Sequence, residues 1–413
     1  MRRLVAAAAA LALLLMPATA ATASTAAPRD QVRDLQYWLD DYGIRDAWAT
    51  TRGEGVTIAI IDSGIDSGVR ELRAAVTGGA DFSGVGFDNG QKPIGTGPEH
   101  GTMVASLAAG RGTSAGSGVL GSAPEASLLS LSIGFGVGKV DSDTQIAEAV
   151  RWAVDNGADV INMSLTRNTL DWPESWDDAF LYAMQHDVVV VAAAGNRGSG
   201  TTEVGAPATM PGVLTVSGVD RSGAASFDAS SQGITIGVAA PSEELVGVIP
   251  GGQYVRWSGT SGATPIVAGV VALVRAAHPE LDAANVIHRI LDTARDRGPR
   301  GPDYTYGYGL LDAEAAVEDD IALVDANPTG DLAEWIRVNR RAEATPPPGV
   351  ALPPAEGGEV IAGPANPIGT LLPSVTQLQL VGVPALVVGL FGAVAVALIV
   401  AAARAYAGHR RAR

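Results

Sequence analysis

An α/β fold, with a mainly parallel sheet flanked by helices on both faces, is what this sequence predicts. Two observations carry that reading. Between about residue 30 and residue 320, short β-branched runs alternate with segments of helical spacing. The runs are continuously apolar, as strands covered on both faces must be. A third observation sets the scale: 413 residues, 47% hydrophobic and 17% charged, hold a large core.

The elements follow in order. VTIAII at 56–61 predicts a buried strand, and 102–109 a helix. A strand follows at 127–133. The segment 144–156 has helical spacing, with Ile146, Val150 and Val154 on one face. Then come a strand at 160–165, a helix at 176–186, and strands at 188–194 and 213–219. The segment 262–277 predicts a helix, and 331–343 a short one. There is no internal repeat.

The two ends of the chain read differently. Residues 1–24 carry two arginines, an apolar run and small residues of A-x-A character, the pattern of a secretory signal peptide. Residues 25–50 form a short N-terminal arm and 51–320 the main domain. Residues 321–377 combine the short helix with a Pro-rich linker. Its stretch 345–373 is too poor in core-forming residues to fold, and extended at about 3.1 Å per residue it reaches about 90 Å. Residues 378–403 are almost wholly apolar and long enough to cross a bilayer, and 404–413 form a basic tail. Positive charge on that flank marks the cytoplasmic side. The expectation is a single-pass cell-membrane protein with its main domain on the extracellular side.

Composition excludes some functions. A net charge of −16 and a pI of about 4.7 argue against nucleic-acid binding, which needs a clustered basic face. The absence of cysteine excludes disulfides and thiolate metal sites.

Four residues stand where α/β folds collect their chemistry, at strand and helix ends. Asp62 ends the first strand. His100 opens a helix in EHGTMVAS. Asn196 follows VVVVAAAG. Ser261 lies in SGTSGATP, at the mouth of an apolar helix. Taken singly, each has a plainer reading: a strand-end turn, a helix N-terminus, a turn and a helix cap. Together they are the set that nucleophilic acyl transfer needs. A serine requires a base, the base requires a carboxylate to hold its tautomer, and the oxyanion requires preorganised donors. The N–H of a serine in the first turn of a helix is such a donor, and the Asn196 amide is a second.

These motifs resemble those of the subtilisin-like serine proteases. AIIDSGID is similar to that family's aspartate motif, HGTMVAS to its histidine motif and SGTSGATP to its serine motif. VVVVAAAGN resembles the oxyanion strand, ADVINMSL the substrate strand and YGYGLLDAEAAV the end of the domain. The order Asp, His, Ser also matches. The resemblance implies a subtilisin-like three-layer fold and a serine endopeptidase working through an acyl-enzyme. It implies a triad of Asp62, His100 and Ser261, with Asn196 in the oxyanion hole. It also implies that extended peptides pair with a substrate strand. The walls it indicates are Leu131, Ser132, Ile133 and Gly134; Ser164, Leu165 and Thr166; and Ala193, Ala194 and Gly195. Polypeptides are the expected substrates.

Departures from the family pattern carry their own expectations. Gly262 stands where methionine or alanine is usual, which loosens the pocket. Arg167 stands where the substrate strand usually has glycine, which restricts the pocket or favours acidic groups. Asn196 and His100 exclude the sedolisin relatives, which use aspartate and glutamate in those roles. An esterase or lipase needs G-x-S-x-G and a different residue order. Relatives often bind calcium, but no compact D-x-D-x-D loop occurs here. Asp81, Asp88, Asp141 and Asp143 read as solvated loop residues. The mechanism requires no cofactor, and no metal ligands are assigned. His186, His278, His288 and His409 read as structural or exposed.

The whole layout is similar to the mycosins, the membrane-anchored proteases of type VII secretion, which implies secretion-system partners. Unlike them, the chain lacks cysteine. The region before the first strand is too short for a folded prodomain, so residues 31–50 are expected to pack on the main domain. The rival reading is a membrane-tethered scaffold or peptide-binding component with little or no proteolysis.

Overall fold

Among the described residues, seven strands form one sheet, and every neighbouring pair in it is parallel. The computed structural model describes residues 30–340. The expected signal peptide, the 345–373 linker, the apolar helix at 378–403 and the basic tail lie outside the described residues.

The chain starts with three short helices: α1 (Gln31–Leu35), α2 (Trp38–Asp41) and α3 (Ile44–Ala47). Then come β1 (Thr57–Asp62), β2 (Val76–Asp81), α4 (His100–Ala109), β3 (Ser127–Ser132), α5 (Ser142–Asp155), β4 (Val160–Met163), α6 (Glu174–Gln185) and β5 (Val189–Ala193). The second half holds β6 (Leu214–Val219), β7 (Ile236–Pro241), β8 (Leu245–Val248), β9 (Tyr254–Trp257), α7 (Thr260–Ala277), α8 (Ala283–Asp292), α9 (Ala313–Glu318) and α10 (Leu332–Asn339). Sheet order is β2-β3-β1-β4-β5-β6-β7, and β8 and β9 form a separate antiparallel pair.

The sheet separates two apolar layers. Successive strand residues point to opposite faces. Ile58 and Ile60 of β1 therefore join one layer with α4 and α7, while Ala59 and Ile61 join the other with α5 and α6. Ile146 and Val150 of α5 are buried in that second layer and Val154 partly so, as their spacing predicts. The long apolar helix α7 has membrane-spanning length and hydropathy, but most of it is buried as the core helix of the first layer.

Helix starts are set locally. Asp141, Asp282, Asp312 and Asp331 each accept a backbone N–H three residues on, at 2.9–3.1 Å. Asp141 is thus a helix cap rather than a merely solvated residue. Asp81 also has a structural role. Its carboxylate accepts from the hydroxyls of Ser83 and Ser132 and from the N–H groups of Gly84 and Gly86. Burial raises its pKa, but these hydrogen bonds outweigh that and leave it below the usual carboxylate value.

Two of the sheet strands escape the sequence pattern. β2 reads VTGGAD and β7 IGVAAP, with too few β-branched residues to stand out. The arm at 30–50 packs on the body. Arg33 is buried and donates to the carbonyls of Gly118 and Ser117. Gln36 makes a two-way bond with the Leu120 backbone at 2.7 and 3.0 Å, and Trp48 donates to Ser122 O at 2.7 Å.

Candidate active site

The carboxyl ends of β1, β4 and β5 converge on the N-terminus of α7. Asp62 is the last residue of β1 and is almost wholly buried. Ser63 N–H bonds its Oδ1 at 2.7 Å, which fixes the carboxylate. His100 opens α4, and its Nδ1 lies 2.8 Å and 3.0 Å from the two Asp62 oxygens. Gly101 allows that approach, because a Cβ there would lie 2.5 Å from Gly64 O. The Ser63 hydroxyl accepts the Gly101 N–H at 3.0 Å, tying the helix start to the strand end.

Burial lowers the pKa of His100. The adjacent Asp62 charge and hydrogen bond outweigh it, so the net shift is upward from the ordinary imidazole value. The Trp257 indole and the imidazole pack edge to face, with ring centroids 5.9 Å apart. Sequence pattern gave no sign of Trp257, because it sits on the short β8–β9 pair.

Ser261 lies in the first turn of α7, where its N–H has no acceptor within the helix. Four residues on stands Pro265, which has no N–H to give the Ser261 carbonyl. The Ser164 hydroxyl supplies that bond instead, at 2.9 Å. In return the Ser261 hydroxyl donates to Ser164 O at 3.1 Å. Asn162 Nδ2 donates to Ser164 Oγ at 3.1 Å and holds the serine in place. Asp62 and His100 are therefore joined, while the Ser261 hydroxyl bonds the carbonyl of Ser164, just beyond β4.

Asn196 is held through its oxygen. Thr260 donates to Oδ1 from its N–H at 2.8 Å and from its hydroxyl at 3.0 Å, so Nδ2 remains the donor end. Gly259 lies against this amide. Its φ of 145° favours glycine, and an added Cβ would stand 3.1 Å from Asn196 Nδ2, a tight contact.

The wall residues divide by exposure. Leu131 and Ile133 are buried in the second layer, and Ser132 donates to Asp81. That wall stays buried through Gly134 and opens at Phe135, which is 43% exposed. On the next wall Ser164 and Leu165 are buried and Thr166 is half-buried. Ala193, Ala194 and Gly195 are buried, so they present mainly backbone. A cavity of about 360 Å³ lies among Phe135, Ile146, Leu165 and Thr166.

Two expectations from departures change. Arg167 pairs with Asp143 and lies over the Trp176 ring, so its charge is already matched. Asp143 is likewise an ion-pair partner and not a merely solvated residue. Gly262 does not loosen the site: a Cβ there would stand 2.3 Å from Leu245 Cδ1, with Trp257 at 3.3 Å. Its space is taken by the β8–β9 pair. Among the described residues, no group of three or more acidic or histidine side chains is placed to hold a metal ion.

Residues 53–309 match the model of the subtilase family, Peptidase_S8. The chain belongs to the subtilase family. Subtilisin E of Bacillus subtilis is 39% identical over 269 residues, 64% of this chain and 66% of its own length. The halolysin-like extracellular serine protease Nep of Natrialba magadii is 36% identical over 71% of this chain and 53% of its own length. The chain thus spans just under two thirds of subtilisin E. Among solved structures, MycP1 from Mycobacterium smegmatis has a TM-score of 0.60 and 30% identity, covering 74% of this chain and 90% of that one. The MycP3 protease from the type VII (ESX-3) secretion system has a TM-score of 0.57 and 30% identity, over 69% and 88%. This subtilase therefore resembles both subtilisin E and the solved MycP1 and MycP3.

Proposed function

We propose that this subtilase is a serine endopeptidase that cleaves polypeptides through an acyl-enzyme. The observation that carries the reading is the buried Asp62 carboxylate gripping His100 Nδ1 within 3.0 Å, which leaves Nε2 as the base. Rotation of Ser261 about χ1 releases its hydroxyl from Ser164 O toward that base. Its oxygen attacks the scissile carbonyl carbon as His100 takes the proton. The oxyanion meets Asn196 Nδ2 and the Ser261 N–H. His100 then gives its proton to the departing amine, and water completes the cycle in reverse.

The same reading extends to setting. The apolar 378–403 segment, its basic flank and the signal-like N-terminus support anchoring in the cell membrane with the domain outside. The likeness to MycP1 and MycP3 supports mycosin-like processing of secreted proteins, with secretion-system components as partners. One observation favours a second reading, a tethered peptide-binding component with little turnover: the Ser261 hydroxyl donates to Ser164 O. A fluorophosphonate probe on wild type and Ser261→Ala decides between them. Labelling of the wild type alone establishes an activated nucleophile. A folded wild type that takes no label leaves the binding reading.

A further inference from the structure

We infer that the crevice receiving the substrate side chain on the acyl side of the scissile bond is shallow, and that Thr166 and Thr201 make it select small residues such as alanine. This rests on the endopeptidase reading above.

The position of the crevice follows from the sheet. β4 and β5 pair as far as Met163↔Ala192. Beyond that point β4 and β5 are no longer paired: Ser164–Thr166 leads to Ser261, while Ala193, still paired with Val216 of β6, leads through Gly195 to Asn196. A carbonyl held by Asn196 and Ser261 must drop its side chain between these two walls.

Each wall is filled from within. On the β4 side, Thr166 points its oxygen at the Gly205 backbone, where an added Cβ would lie only 2.8 Å from Oγ1 and 1.7 Å from Arg167 O. On the β5 side, Thr201 is buried against Gly195, where an added Cβ would lie 2.5 Å from Thr201 Cγ2. The Thr201 hydroxyl then crosses to Asn168 Oδ1 at 2.7 Å, joining one wall to the other. The far end is closed by backbone pairs, Arg167 N–H to Ala206 O at 2.7 Å and Ala206 N–H to Thr169 O at 3.0 Å. A large side chain would have to displace both threonines and break the Thr201–Asn168 bond. Asn168 and Thr201 also line a cavity of about 90 Å³, so loss of the Thr201 side chain gives the crevice room to deepen.

The test uses the full-length chain in detergent. Its probes are two blocked tetrapeptide p-nitroanilides that differ only in alanine or phenylalanine before the cleaved bond. Active sites are counted with the fluorophosphonate. The expected result is a wild-type kcat/KM at least about tenfold higher for alanine than for phenylalanine. Thr166→Gly should raise the phenylalanine-to-alanine ratio of kcat/KM by about tenfold or more. Thr166→Val, of similar volume, should keep the wild-type ratio. Thr201→Ala gives an independent opening should Thr166→Gly fold poorly. A labelled wild type that cleaves both substrates equally overturns the shallow crevice alone, as does an unchanged ratio in both opened variants. A folded wild type that takes no label overturns the endopeptidase reading and this inference with it.

Discussion

His100 is the residue whose environment is most consequential for the proposed chemistry. Its pKa stands above the ordinary value because Asp62 outweighs burial. Catalysis needs the neutral ring, so kcat/KM should fall as pH drops through a value above about 6.5. The sign for stability is opposite. A raised folded pKa contributes stability below the unfolded value, and that contribution is lost as pH rises through the folded one. A pH–rate profile beside a pH–melting series checks both signs. Asp62→Asn should lower kcat by about 10⁴, since the ring then loses its tautomer control. Asn196→Ala should cost about 10²–10³ in kcat, read in steady-state kinetics. Thr260→Val should cost less than Asn196→Ala, because Thr260 only holds the amide in place.

At the scale of elements, the mouth of α7 is a junction of four pieces. Pro265 frees the Ser261 carbonyl, β4 caps it through Ser164, β5 delivers Asn196, and the β8–β9 pair fills the space over Gly262. Gly262→Met would restore the residue common in the family, yet here it should destabilise the fold by about 1–3 kcal/mol through overpacking on Leu245 and Trp257. Chemical denaturation of the variant measures this, and an unchanged midpoint would show that the hairpin yields freely. The loss is structural, so fluorophosphonate labelling at low temperature should persist.

At the scale of the whole molecule, the N-terminal arm is part of the body. Trp38, Leu39 and Ile44 are fully buried, and Arg33 and Gln36 tie the arm to the 112–120 loop. Trp38→Ala should cost about 3–5 kcal/mol, the scale of an aromatic cavity. Arg33→Ala should cost about 1–3 kcal/mol by leaving the buried Gly118 carbonyl without this donor. Thermal unfolding reads both. A melting point unmoved by either change would mean that the arm only rests on the surface.

The sequence alone determined the alternation of strands and helices, and with it an α/β fold. It did so because strands covered on both faces must be continuously apolar. It also placed Asp62, His100, Asn196 and Ser261 at element ends, because their motifs are local and contiguous. β2 and β7 escaped notice because glycine, alanine and proline leave them few β-branched positions, and β2 is moreover only half-buried at the sheet edge. The tertiary structure alone decided what surrounds the four. Trp257 against His100, Leu245 in the space of Gly262, Asp143 on Arg167 and Thr201 bridged to Asn168 are all contacts between segments far apart in the chain. A local pattern carries no record of such distant neighbours, and those neighbours set the depth of the crevice and the charge near it.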